Sequence, residues 1–155
     1  MKNYKIIKLI ISFSLFITLL SGCSLLEKEE TKTFEISNNQ GTIETIVTYK
    51  GERVIKQQTT NKLNFSSGEI DKNFAERSFN ELQEKYNNID GITITTNFIT
   101  NEASQTITFD FEKIDKEKLK TLAGFTKLLD KNSNITISQL ETNLSNEGFK
   151  IKNNK

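Results

Sequence analysis

Hydrophobic and polar positions along the chain change period several times, and each change marks an element. From Thr33, "TFEISNNQGTIETIVTYKGERVIKQQTT" alternates and is punctuated by Asn39-Gln40-Gly41 and by Lys50-Gly51, which predicts a three-stranded meander. Phe34 and Ile36 share one face of its first strand, and Ile43, Thr45, Val47 and Tyr49 share one face of its second. In "GEIDKNFAERSFNELQEKYNN" the period becomes helical: Ala75, Phe79, Leu82 and Tyr86 form a single stripe. Gly91 resets the chain. Alternation then returns in "GITITTNFITNEASQTITFDFEKI", with Ile92, Ile94 and Phe98 on one side, a turn at Asn101 to Ser104, and Ile107, Phe109 and Phe111 beyond it. Asp115 is placed to cap a helix through Leu119, Leu122 and Phe125, with Gly124 weakening its last turn. Ser138 and Glu141 have capping-box spacing for a last helix that carries Leu140 and Leu144 on one face and ends at Gly148.

This pattern predicts an α+β fold: a mostly antiparallel sheet of about five strands, built from the meander and the hairpin, packed by two to three helices. A length of 155 residues suits one domain, and the chain has no proline, no internal repeat and no composition break after residue 31. The expected organisation is a signal segment at 1–22, a modified cysteine and flexible tether at 23–31, and a single α+β domain at 32–155.

Ahead of the alternating region the pattern is of another kind. "MKNYKIIK" is positively charged, and the 12 residues "LIISFSLFITLL" form an apolar run that suits a secretory h-region and is short for a bilayer span. The run ends in Leu20-Ser21-Gly22-Cys23, which resembles the lipobox of bacterial lipoproteins. That resemblance implies cleavage between Gly22 and Cys23 and a diacylglyceryl group on the Cys23 thiol. It also implies a lipid-anchored protein on the extracytoplasmic face of the cell membrane. Two or more acyl chains hold durably where one holds marginally, because each buried methylene contributes about 0.8 kcal/mol. Cys23 is the chain's single cysteine, so no intramolecular disulfide can form and the fold must stand on its core.

The mature region as a whole, from "TFEISNNQGTIETIVTYKGERV" through the "ITITTNFITNEASQTITFDF" hairpin to "ISQLETNLSNEGFK", resembles the YehR-like family of small bacterial lipoproteins over about Thr31 to Lys152. The resemblance implies the α+β fold and a surface address. It rests on turns and core positions and carries over no catalytic residue.

Composition narrows the chemistry. From Cys23 onward 18 basic residues face 20 acidic ones, and only Arg53 and Arg77 are arginines, so no basic surface for nucleic acid is expected. The chain has no histidine, which removes Ser-His-Asp and Cys-His sites and the usual zinc sites. No phosphate loop, dinucleotide fingerprint or calcium loop occurs, and neither a cofactor nor a metal is expected. Carboxylate chemistry remains: Asp110 and Glu112, two apart on a strand and projecting from the face opposite Phe109 and Phe111, form a candidate acidic pair for acid–base work or a hard cation, although the solvent face of a sheet is the simpler reading of the two. Glu76, Glu81 and Glu84 read as a solvated helix face. "TITTN" and "QQTTN" offer hydroxyl and amide groups to a glycan, or are simply good strand formers. Three function classes follow. The first is a non-enzymatic envelope module that binds an envelope protein or polymer. The others are a carboxylate-based hydrolase and a small solute-capture lipoprotein.

Overall fold

The computed structural model describes residues 27–65, 71–122 and 125–152. The signal segment, Gly22, Cys23 and Gly124 lie outside the described residues. The chain runs β1 (Glu29–Asn38), β2 (Gly41–Lys50), β3 (Arg53–Asn64), α1 (Lys72–Tyr86), β4 (Ile92–Phe98), β5 (Glu102–Asp110), α2 (Lys116–Thr121), a 3-10 turn (Thr126–Leu128), α3 (Ile137–Asn146) and β6 (Lys150–Ile151). The strands form one six-stranded sheet in the order β4-β5-β3-β2-β1-β6, and every pairing is antiparallel. The meander, the second hairpin and the α+β class stand as expected.

One face of the sheet is packed. Phe34, Val47, Tyr49, Ile107 and Phe109 project from it into the main core, where they meet Tyr86 of α1, Leu119 of α2, and Leu140 and Leu144 of α3. The helix stripe is as read, with Ala75, Phe79 and Tyr86 buried and Leu82 partly so. A bulge in β3 sharpens the packing. Tyr49 faces Val54 while Thr48 faces Lys56, so Ile55 is the extra residue, and Val54 and Ile55 are both buried although adjacent.

Five details differ from the sequence reading. The sixth strand, β6, exists because Gly148, at φ +92°, turns the chain back after α3 and lets the Lys152 amide reach the Thr33 carbonyl at 2.8 Å. The second hairpin turns at 99–101 rather than 101–104: the Ile99 amide donates to the Glu102 carbonyl at 2.9 Å, which brings fully buried Ala103 opposite Phe98. α2 stops at Thr121, and Leu122 and Phe125 still reach the core from the irregular chain that follows. Strand β1 begins at Glu29, inside the stretch assigned to the tether, because Glu29 ion-pairs with Lys50 across the strands at 3.1 Å and Glu30 accepts the Tyr49 hydroxyl at 3.1 Å.

The last difference is the cap of α3. Ile137 is buried and its amide donates to the Glu52 carbonyl at 2.9 Å, so the helix starts there and Thr136, not Ser138, is the cap. The Thr136 hydroxyl accepts the Gln139 amide at 3.3 Å, whereas Ser138 donates to Glu52 at 2.7 Å. Thr136→Ala is therefore expected to cost about 1 kcal/mol of stability. Ser138→Ala, losing one exposed contact, is expected to stay within about 0.5 kcal/mol; denaturant unfolding of both variants separates the two caps.

Candidate functional site

At the end of the sheet where β1 begins, the β2–β3 turn, the exit of β5 and the 130–135 loop enclose a cleft of about 440 Å³. Val54, Ile114, Leu119 and Ile135 floor it, and Arg53, Glu112, Asp115 and Lys116 stand at its rim. The loop is built around Asp130, whose Oδ1 accepts the Asn132 amide at 2.7 Å and the Asn134 amide at 2.8 Å. That turn delivers Ile135, whose carbonyl accepts the Val54 amide at 2.9 Å. Asp115 is committed to capping α2, accepting the Glu117 and Lys118 amides at 2.9 and 3.0 Å. Lys116 donates to the Asn132 carbonyl at 3.2 Å.

The acidic pair read from the sequence does not converge. Strand β5 ends at Asp110, so strand alternation no longer governs Glu112, and each carboxylate has its own cation. Asp110 Oδ2 lies 2.8 Å from Lys113 Nζ, and Glu112 Oε1 lies 3.1 Å from the Arg53 guanidinium. The hydrogen bond from Lys113 holds the Asp110 carboxyl below the ordinary value of 3.8, the opposite of what a proton-donating acid needs near neutrality. Among the described residues, no three Asp, Glu, His or Cys side chains are grouped so that they could hold a metal ion.

Amide donors lower Asp130 as well, that of Asn134 most. A carboxyl whose pKa falls on folding stabilises the fold above its unfolded value and loses that contribution as pH falls through the lower folded value. Thermal melts taken from about pH 5 down to about pH 2 are expected to show stability falling, with a shallower fall in Asp110→Asn and Asp130→Asn.

The second surface is the face of the sheet opposite the helices. Pairing registers place Thr93, Thr95 and Asn97 of β4 there, beside Ser104, Thr106 and Thr108 of β5 and Gln58 and Thr60 of β3. Thr42, Thr48, Thr31 and Thr33 continue it across β2 and β1, interleaved with Glu44 and Ile46 of β2 and Lys56 and Lys62 of β3. None of these residues is buried. Thr60 and Thr106 share a hydrogen bond at 3.0 Å, as do Ser37 and Thr42. Near the β6 edge Lys152 bridges Glu35 at 2.8 Å and Glu44 at 2.6 Å, and these two hydrogen bonds raise the lysine's pKa well above its ordinary range.

Only half of the Thr- and Asn-rich segments reach this face. Gln57, Thr59 and Asn61 turn inward by strand alternation, as does Thr96. Inside, Thr45 bonds Thr59 at 3.1 Å, and fully buried Gln105 donates to the Phe79 carbonyl at 2.9 Å and to Thr96 at 3.1 Å. This polar band separates the main core from a smaller cluster of Ala75, Phe79 and Ala103. Gln105 escaped the sequence reading, although its inward position follows from the alternation Ala103, Gln105, Ile107, Phe109.

A family described as "Protein of unknown function (DUF1307)" matches residues 30–150. The uncharacterised lipoprotein Lin0239 of Listeria innocua is 35% identical over 125 residues, covering 80% of this chain and 82% of that protein. The uncharacterised lipoprotein YehR of Escherichia coli is 32% identical over 148 residues, covering 94% of this chain and 95% of YehR, an extent that necessarily takes in the segment around Cys23. The NMR structure of the E. coli YehR protein superposes with a TM-score of 0.62 at 31% identity, covering 81% of this chain and 91% of that one. Matched over its folded region by sequence and by structure, this chain belongs to the YehR-like family of membrane-associated bacterial lipoproteins.

Proposed function

We propose that Cys23 is the first residue of the mature protein, carries a diacylglyceryl group, and holds the domain on the extracytoplasmic face of the membrane as a non-enzymatic binding module. Its partner is an envelope protein or polymer. The lipobox spacing and the lipoprotein relatives support the anchor. Because β1 already begins at Glu29, the six steps from Cys23 to the sheet span at most about 20 Å, which keeps the domain beside the bilayer. One observation carries the binding reading: a sheet face formed largely of Thr, Ser, Asn and Gln side chains, with no helix over it among the described residues. Such a face offers many hydrogen-bonding groups and little apolar area, which favours a polar partner.

The test is crosslinking and pulldown from intact cells, with Cys23→Ala and Thr60→Glu/Thr106→Glu as comparisons. A protein or wall fragment recovered with the native chain and lost with both variants is the expected result. Recovery that is the same for all three chains contradicts the reading.

A further inference from the structure

The two edges of the sheet are guarded very differently. At the β1 edge, β6 covers Phe34 and Glu35, and charged residues crowd the rest: Glu29, Glu30, Lys32, Lys150 and Lys152. Charge and a short covering strand are the usual protections against edge-to-edge pairing. At the other edge β4, "ITITTNF", has no charged residue, no proline and no bulge in its pairing with β5.

The backbone of β4 is aimed outward in a defined pattern. The Asp110 amide donates to the Gly91 carbonyl at 2.7 Å, and the Ile99 amide donates to the Glu102 carbonyl at 2.9 Å. Both contacts lie in the register that pairs Ile92 with Phe109, so the odd-numbered residues of β4 bond β5 and the even-numbered residues direct their amides and carbonyls off the sheet. Of these, the Ile92 amide is taken by the Ile89 carbonyl at 3.0 Å. The backbone groups of Ile94, Thr96 and Phe98 have no partner among the described residues.

We propose that β4 pairs antiparallel with β4 of a second copy of this chain, about a twofold axis at Thr95, joining two six-stranded sheets into one. Three features select a second copy over an unrelated strand. Centred on Thr95, the register uses all seven residues of β4 and opposes even-numbered residues to even-numbered ones, which allows about six interchain backbone hydrogen bonds. It sets Ile92 against Phe98 of the other copy, twice, on the helix-packed face, where both side chains are now half-exposed. It sets Thr95 against Thr95, and Thr93 against Asn97, on the polar face, and Ile94 against Thr96 between the two Ile92–Phe98 pairs on the other face, so no charged side chains meet. The twofold is normal to the sheet, and both copies present their polar faces to the same side.

Thr95 is exposed and opposes itself as a non-hydrogen-bonded pair, a position where Cα atoms approach to about 4.5 Å, within disulfide range. Full-length Thr95→Cys, oxidised in membranes, is expected to run as a covalent dimer on a non-reducing gel. Wild type, with Cys23 alone, and Thr48→Cys, in the middle of the sheet, set the background. In cells carrying two differently tagged copies, Thr95→Lys is expected to abolish their co-purification by placing like charges together, and pairing Thr95→Lys with Thr95→Glu is expected to restore it. A Thr95→Cys dimer no stronger than background overturns the proposal. So does an adduct of Thr95→Cys with a different protein in place of the dimer, or loss of co-purification that the opposite-charge pair does not restore.

Discussion

Phe109→Ala is expected to cost about 3–5 kcal/mol, a large fraction of the 5–15 kcal/mol that holds a typical domain together. Phe109 is the hub of the aromatic core. Its ring meets Tyr86 edge-on at 5.6 Å, Phe125 edge-on at 4.8 Å and Phe111 stacked at 6.1 Å, so one side chain joins α1, β5 and the segment after α2. Truncation leaves a cavity that rings on three separate segments would have to move together to fill. Phe74 provides the contrast, being 56% exposed on α1, and Phe74→Ala is expected to change stability by less than about 0.5 kcal/mol. Urea unfolding of the two variants tests the comparison, with a much lower midpoint for Phe109→Ala and little change for Phe74→Ala.

Gly91→Ala is expected to destabilise by about 2–4 kcal/mol through two separate terms. Gly91 has φ +83°, a region that an L side chain enters at a cost of about 1–2 kcal/mol. An added Cβ would also lie 2.8 Å from the Asp110 carbonyl oxygen and 2.8 Å from Ile114 Cγ1, at the point where the Asp110 amide bonds Gly91. Backbone and a buried side chain cannot both yield there. Gly148 isolates the first term: φ is +92° but the nearest atom to a new Cβ is Ile36 Cδ1 at 3.4 Å, so Gly148→Ala is expected to cost only the backbone strain, about 1–2 kcal/mol. Equal losses in the two variants would show that crowding at Gly91 contributes nothing.

These expectations rest on parts of the fold that differ in how openly the sequence displays them. Alternation in β2 and β5 and the stripe of α1 were legible because each buries a regular face, and the period survives in the residue types. The α3 cap was not: Thr136 and Ser138 both have capping chemistry with Gln139 and Glu141 at the right spacing, and burial of Ile137 against the β2–β3 turn decides between them. Gln105 was missed because an amide in an inward position reads as an interruption until Phe79 and Thr96 are seen to accept from it. Asp110 and Glu112 looked like one site because their spacing fits a strand, but β5 ends between them in a turn marked by no Gly or Pro, in which the Asp110 carboxylate accepts the Glu112 amide and the Asp110 carbonyl accepts those of Lys113 and Ile114. The polar face was half legible. "QQTTN" announces hydroxyls and amides, but which of them face solvent depends on the β3 register.

The anchor is the premise on which the account of this family member depends, and the chemistry at Cys23 tests it most directly. The protein should be purified from the membrane fraction, digested, and its N-terminal peptide identified by mass spectrometry. The expected peptide begins at Cys23 and carries the mass of a diacylglyceryl group on sulfur, and Cys23→Ala is expected to leave the membrane fraction. A mature protein that begins elsewhere, or whose Cys23 is a free thiol, would contradict the account.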